Sequence, residues 1–282
     1  MNSIVPFFND IPSWQRTLIL AAGFVLMWML ESAIPLLRTG INKPKHTGIN
    51  LFFTGTTLIV NFLFAAVLVM ASDFTTRNHF GILYLADLPL WAHAVFGLLL
   101  LDFIGAFVIH VLAHKVKWMW KFHAVHHSEP HVNTTSALRH HPGESVFRAV
   151  FTTLAILIAG TPVWMVMIYQ SASALFSQFN HANIHLPKWL DSMIAIIFVS
   201  PGMHKVHHHY LMPVTDTNYG NIFSVWDRLF QTFVSMKTSD IHYGLDIYPK
   251  AEEHSRLTRL IRMPFEKYRA PVGSKFGKPE MK

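Results

Sequence analysis

Apolar residues in this chain come in long unbroken blocks and not in the short alternating runs of a soluble sheet. Three blocks, residues 17–37, 51–71 and 89 to about 112, each hold roughly the 20 apolar residues a helix needs to cross a hydrocarbon core, and they predict three spanning helices. The first lacks the cleavage-site pattern of a signal peptide and reads as a retained helix. A fourth apolar stretch, 146 to about 180, is broken by Ala159-Gly160-Thr161-Pro162, a turn signal. The arm before that break is about 13 residues, roughly 20 Å, which is short for a crossing. A helical hairpin that dips into the membrane and returns is therefore expected.

Residues 189–200 predict a short helix lying along the interface, ended by Pro201-Gly202. After Thr238 the pattern turns polar, and Leu257, Leu260 and Ile261 against Arg256, Arg259 and Arg262 predict a basic amphipathic helix. The expected architecture is all-α: an integral membrane bundle of about three spanning helices plus a hairpin. It divides into N-terminal membrane helices (1–88), a central region (89–235) and a basic amphipathic C-terminal tail (236–282).

Composition sharpens this picture. Over 282 residues, 51% hydrophobic and 14% charged side chains exclude an ordinary soluble domain. The net charge of +7 raises nucleic acid as a partner, but the basic residues sit beside apolar segments, where anionic lipid is the simpler one. The absence of cysteine excludes disulfides, thiolate-ligated haem and cysteine-held iron–sulfur clusters, so any metal must be held by nitrogen and oxygen. Arg38, Lys43 and Lys45 in one loop and Lys115, Lys117 and Lys121 in another mark both loops as cytoplasmic, and two intervening spans are what that requires. The N-terminus is then on the far side. Glu31, inside the first span, is expected either to face protein or water or to reach the interface.

Histidine supplies the candidate chemistry. Of nineteen, fourteen fall between positions 110 and 209, and ten form four groups at helical spacing: His110 and His114; His123, His126 and His127; His181 and His185; His204, His207 and His208. Residues three and four apart share a helix face, so each group is shaped to grip a metal. Neutral imidazole suits iron, zinc, copper or nickel. Ten ligands are too many for one ion and fit two ions of roughly five each, with positions left open. The Glu-x-x-His motif of soluble di-iron bundles and the His-Glu-x-x-His motif of zinc proteases are both absent. Asp102, Glu144, Asp216 and Asp227 are candidates to accept the outer N–H of a ligand, with simple capping or pairing as the alternative. His141 has three open roles: ligand, partner of a ligand, or plain hydrogen bonding. His140 and His209 read as bystanders, His131 as a substrate contact or a solvated loop residue, and His46, His79, His93, His242 and His254 as structural.

The order His-x-x-x-His, His-x-x-His-His, a later His pair, then His-x-x-His-His resembles the sterol desaturase and fatty acid hydroxylase superfamily of membrane di-iron enzymes. The likeness runs from about Asp102 to Phe233. It includes Trp120-Lys-Phe-His123, Thr134-Thr-Ser-Ala-Leu-Arg139, Arg139-x-His141-Pro142-x-Glu144, Asn180-His181-Ala-Asn183 and Trp226-Asp-Arg-Leu-Phe230. One departure is Val111 after His110, where the first motif usually continues with arginine. The resemblance implies a cytoplasmic cap of histidine-bearing helices holding two irons, which zinc can replace on isolation, and dioxygen chemistry on an unactivated C–H bond of a lipid. Hydroxylation is the expected outcome and desaturation the runner-up. The chain has no Gly-x-Gly-x-x-Gly fingerprint, no cysteine and no length for a fused haem domain, so the two electrons are expected from a separate ferredoxin, cytochrome or reductase. Such a donor would dock at Lys115, Lys117, Lys121 and Lys205. A different class, a histidine-rich divalent-metal transporter or metal-binding membrane protein, fits less well, because transporters place ligands near the bilayer midplane and these histidines cluster at helix ends.

Overall fold

The computed structural model describes residues 4–37 and 43–277; Arg38, part of the first basic loop, lies outside them. The regular structure of the described residues is helical, without strands. In order, α1 (Ile4–Asp10), α2 (Ser13–Ala33), α3 (Lys43–Asn78) and α4 (Leu90–Asp102) lead into a π-helical turn (Phe103–Val108) that continues as α5 (Ile109–Lys115). Then follow α6 (Lys117–His127), α7 (Pro142–Ala159), α8 (Val163–His181), α9 (Lys188–Ile194), α10 (Pro201–His207), α11 (Val225–Leu229), α12 (Ala251–Ser255) and α13 (Leu257–Arg262).

Four helical stretches are long and apolar enough to cross a membrane: Ser13–Ala33, Pro44–Tyr84, Leu90–Lys115 and Pro142–Ala159. The last of these corrects the hairpin's depth. α7 starts at Pro142, ahead of its apolar block, because Pro fits the first helical position and the His141 imidazole caps it, Nδ1 accepting the Gly143 N–H at 3.0 Å. Counting only apolar residues missed this polar first turn, which faces protein with Glu144 fully buried. Eighteen residues give about 27 Å, a crossing length. α9 is shorter than the expected interfacial helix, stopping at Ile194.

The long helices alternate in direction, which gathers particular ends together. Glu31, near the end of α2, accepts from the backbone N–H of Thr134 (2.6 Å) and of Asn183 (2.7 Å), just beyond α8. Partway along α3, Thr57 bonds Ser145 at the start of α7 (3.0 Å). At the opposite end, Ser72 late in α3 donates to Thr161 O in the α7–α8 turn (2.6 Å). Between these levels Leu68, Leu101, Ile156, Met165 and Tyr169 form the membrane-level core.

A second core holds the C-terminal region in place. Leu245, Tyr248, Leu260 and Met263 pack on Trp120, Ala124 and Val125 of α6 and on Phe53 of α3. The basic segment is therefore docked, its apolar side taken by α6, and α13 is only six residues long. Arg139 ties the pieces together. Its guanidinium donates to Glu129 (2.7 Å), Asn50 Oδ1 (3.1 Å) and His254 O (2.7 Å), all buried or nearly so. Burial pushes the Glu129 carboxyl up, but Arg139 and His46 outweigh it and hold it at about 2.

The α7–α8 turn depends on two glycines back to back. Gly160 closes α7 with φ +83°, and a Cβ there would lie 2.5 Å from Phe80 O; Gly81, at φ +119°, faces it. Gly160→Ala is expected to cost more than about 1 kcal/mol and lower Tm in detergent. Gly55→Ala, in open space on α3, should be neutral or gain up to about 1 kcal/mol. Thermal unfolding of the two variants beside the parent checks both.

Candidate metal centre

Each histidine is brought inward by a local device. The π turn before α5 is a break of the kind often seen at functional sites, and it sets the rotation of the helix that carries His110 and His114. Val116 alone separates α5 from α6, so the second histidine group folds straight back onto the first. His181 is the last residue of α8. α10 is aimed by its N-terminus, where Ser200 Oγ accepts the Met203 N–H (3.2 Å) and Asp191 accepts from Ser200 and the Gly202 N–H (both 2.9 Å).

The result is two groups made only of histidine, apart from the smaller set of His123, His140 and Glu144. His110, His114, His123, His127 and His207 form one; His126, His181, His204 and His208 form the other. Within each group the potential ligand atoms all lie within 4.8 Å of one another, and no member is more than 6% exposed. Burial, reinforced by neighbouring imidazoles, holds His126, His127, His204, His207 and His208 far below the ordinary histidine range, and His123 is pushed down to about 3 even beside Glu144. Neutral rings are what metal binding needs.

The hydrogen bonds fix which nitrogen faces in. Nδ1–H donates to Tyr219 O from His110 (2.7 Å), to Asp216 from His114 (3.2 Å), to Glu144 from His123 (2.8 Å) and to Thr217 O from His207 (2.7 Å). His181 Nδ1–H has Ser177 O and Asn180 Oδ1 at 2.8 and 2.7 Å. Their Nε2 lone pairs therefore point inward. His181 Nε2 lies 3.1–3.2 Å from the Nε2 atoms of His126, His204 and His208 together, and His110 and His123 Nε2 are 3.1 Å apart. One proton cannot serve three such contacts. A cation among them can, since nitrogens each about 2.0–2.1 Å from a metal and at near right angles sit about 3 Å apart. Nε2 of His114, His127 and His207 is likewise buried without a hydrogen-bond partner. The donor set fits two metal ions.

Nine of the ten expected ligands are thus brought together. His185 is not: it is exposed, outside both groups, with its N–H on Ile34 O (2.8 Å). The i, i+4 spacing presumes a helix, and α8 ends at His181 with Ala182 already out of helical geometry. Of the four carboxylates, Glu144 and Asp216 accept from ligand histidines. Asp102 instead accepts from Ile222 N, Phe223 N and Trp226 Nε1, and Asp227 from Tyr219 N and Gly220 N, so both shape the loop whose carbonyl receives His110. His141 is a cap, with Nε2–H toward Ile261 O (3.2 Å).

His140 was misread as a bystander. It stacks on His126 with centroids 4.6 Å apart, and its Nδ1 is 3.0 Å from Glu144. Its spacing of four from Glu144 was the available signal. Lys205 was misread too, being fully buried with its ammonium on Ala182 O; burial pushes it down to about 8 although Asp191 and Glu31 oppose this. Lys115 is paired with Asp216, and Lys117 lies over the Tyr268 ring.

Comparison with known proteins agrees with this geometry. The chain is 28% identical over 145 residues to the ornithine lipid hydroxylase OlsE of Rhizobium tropici, a stretch covering 51% of this chain and 43% of that one. It is 28% identical over 158 residues to the alkylglycerol monooxygenase of Homo sapiens, covering 55% and 33%. It is 30% identical over 158 residues to a cholesterol 25-hydroxylase-like protein of Danio rerio, covering 53% and 60%. The chain therefore spans less than two thirds of each of these relatives. No solved structure matches it significantly. Residues 94–232, just under half of the chain, match the model described as fatty acid hydroxylase and contain every histidine of both groups, and it is this stretch that belongs to that family.

Proposed function

We propose that this chain is an integral membrane oxygenase that holds two iron ions and hydroxylates an unactivated C–H bond of a lipid. One atom of dioxygen enters the C–H bond to give an alcohol and the other leaves as water, with two electrons from a separate donor and two protons. The observation that carries the reading is the pair of adjacent buried groups of five and four neutral imidazoles at one end of an apolar helical bundle. Bound iron would supply the dioxygen chemistry needed to oxidise an aliphatic C–H bond. The protein's own part is to orient and to exclude. Glu144, Asp216 and the carbonyls of Tyr219 and Thr217 lock the inward tautomer, and the two carboxylates raise the basicity of the rings they hold. With four imidazoles, the second group leaves more positions open than the first. The relatives named above act on lipids, which supports a lipid substrate and hydroxylation over desaturation. The histidine end carries Lys115, Lys117 and Lys121, which supports a cytoplasmic catalytic face.

Three measurements test this. Under 18O2, reduced iron-loaded protein in lipid nanodiscs should give a lipid hydroxyl carrying one 18O; an unlabelled double bond would mean desaturation, and metal flux without oxygen uptake would mean a transporter. Replacing His123 or His208 by Ala should abolish oxidation and lower bound metal, and Glu144→Ala should weaken metal binding about 10–100-fold. His185→Ala should stay near the parent in both respects, so loss of metal there would restore it to the ligand set. In the naturally cysteine-free chain, Lys117→Cys should label only from the cytoplasm and Arg77→Cys only from the other side.

A further inference from the structure

α2 is loosely bound into the bundle, with none of its residues buried. It approaches α8 closely at Gly23, where a Cβ would lie 2.4 Å from Leu175 Cδ2 and 3.1 Å from Gln178 Oε1. Around this contact a cavity of about 410 Å³ remains between α2, α8 and the segment from α9 toward α10. That volume is in the range of small-molecule sites. Leu26 and Met27 of α2, Leu175 and Phe179 of α8, and Ile194 and Phe198 supply its apolar walls.

Its place in the fold gives it meaning. The α8 residues lining it are the last turns before His181, and Gln178 shares a helix face with His181 one turn on. Phe198 lies just ahead of α10, which carries His204. The lining thus ends about one helical turn short of His181, on the side of the four-histidine group. The α2 wall belongs to a candidate span, so the cavity lies at hydrocarbon depth, where the surrounding medium is acyl chains. At the top, Glu31 fixes the end of α2 to the loop after His181, which leaves the side as the way in.

We propose that this groove holds the hydrocarbon chain of the lipid substrate, entering sideways from the bilayer, and that Leu26 and Met27 set how much chain it admits. The consequence for catalysis rests on the oxygenase reading; the binding does not. Bilayer chains are as apolar as the groove, so transfer into it gains no hydrophobic energy, and selection comes from shape and van der Waals packing. Bulk at the wall is therefore the variable to change.

The probe is a phosphatidylcholine with a diazirine at the end of one acyl chain, photolysed with the full chain in nanodiscs and mapped by peptide mass spectrometry. Labelling should concentrate on residues 175–179 and 194–198, saturate with probe, and fall several-fold in Leu26→Trp and Met27→Trp. Leu58→Trp, on the lipid-facing side of α3, should leave it unchanged. With metal-loaded protein, the Trp variants should shift oxidised products toward shorter chains, and Leu26→Ala with Met27→Ala toward longer ones; the Ala pair also serves if a Trp variant fails to fold. Non-saturable labelling as strong on exposed Phe62 and Leu63 as in the groove, unaffected by the Trp variants, would overturn the proposal. If the parent binds the probe in the groove but oxidises nothing, the oxygenase reading falls and the groove stands.

Discussion

Nine buried imidazoles crowd into two small volumes, five of them with the Nε2 lone pair fixed inward, and the rest of the structure is arranged to hold them against the repulsion this creates. His181 makes the constraint plain: its Nδ1–H is committed outward, and its Nε2 faces three others at 3.1–3.2 Å. Only a cation reverses the sign of those contacts. The outer shell follows from this. Carbonyls of Tyr219 and Thr217 and carboxylates of Glu144 and Asp216 hold the rings in orientation, and Asp102 and Asp227 in turn hold the loop that presents Tyr219. The ligands thus rest on residues that never touch them.

The membrane imposes the second constraint. Helices that cross must alternate, so a site built from several of them has to collect the same end of each. Here the ends of α2, α5 and α8 meet the starts of α3 and α7, and every histidine of both groups lies at or just beyond that level. Among the described residues, the opposite end carries α1 and the turns that include the paired glycines 81 and 160. This is why polar side chains within the spans, such as Thr57 and Ser145, pair with each other and not with lipid.

Much of this was legible in the sequence because helical periodicity is a local property. Histidines at i and i+4 share a face wherever a helix forms, and His123 with His127 and His204 with His208 stay together, but each expected triple is split, His126 and His207 each joining the other group. The rule failed where the helix stopped. α8 ends at His181, so His185 leaves the site, although its spacing matches that of His110 and His114. Non-local partners were harder to read. Nothing in sequence marks a backbone carbonyl as the acceptor for His110 or His207, and Lys205 looked like surface charge because its burial depends on loops distant in the chain. The C-terminal region misled for a related reason: an amphipathic pattern states that one face will be covered, and leaves open whether lipid or α6 covers it.

The two groups are built alike but not supported alike. Four of the five histidines in the first have their outer nitrogen bonded, two of them to carboxylates. In the second only His181 is held that way, by neutral oxygens, while Nδ1 of His126, His204 and His208 has no protein partner and the buried Lys205 ammonium lies next in sequence to His204. Carboxylate-backed imidazoles are the stronger donors. The five-histidine group is thus the more strongly anchored site for a cation. The four-histidine group has fewer candidate ligands and weaker support, so it is the side of the centre at which a further ligand would meet the least competition.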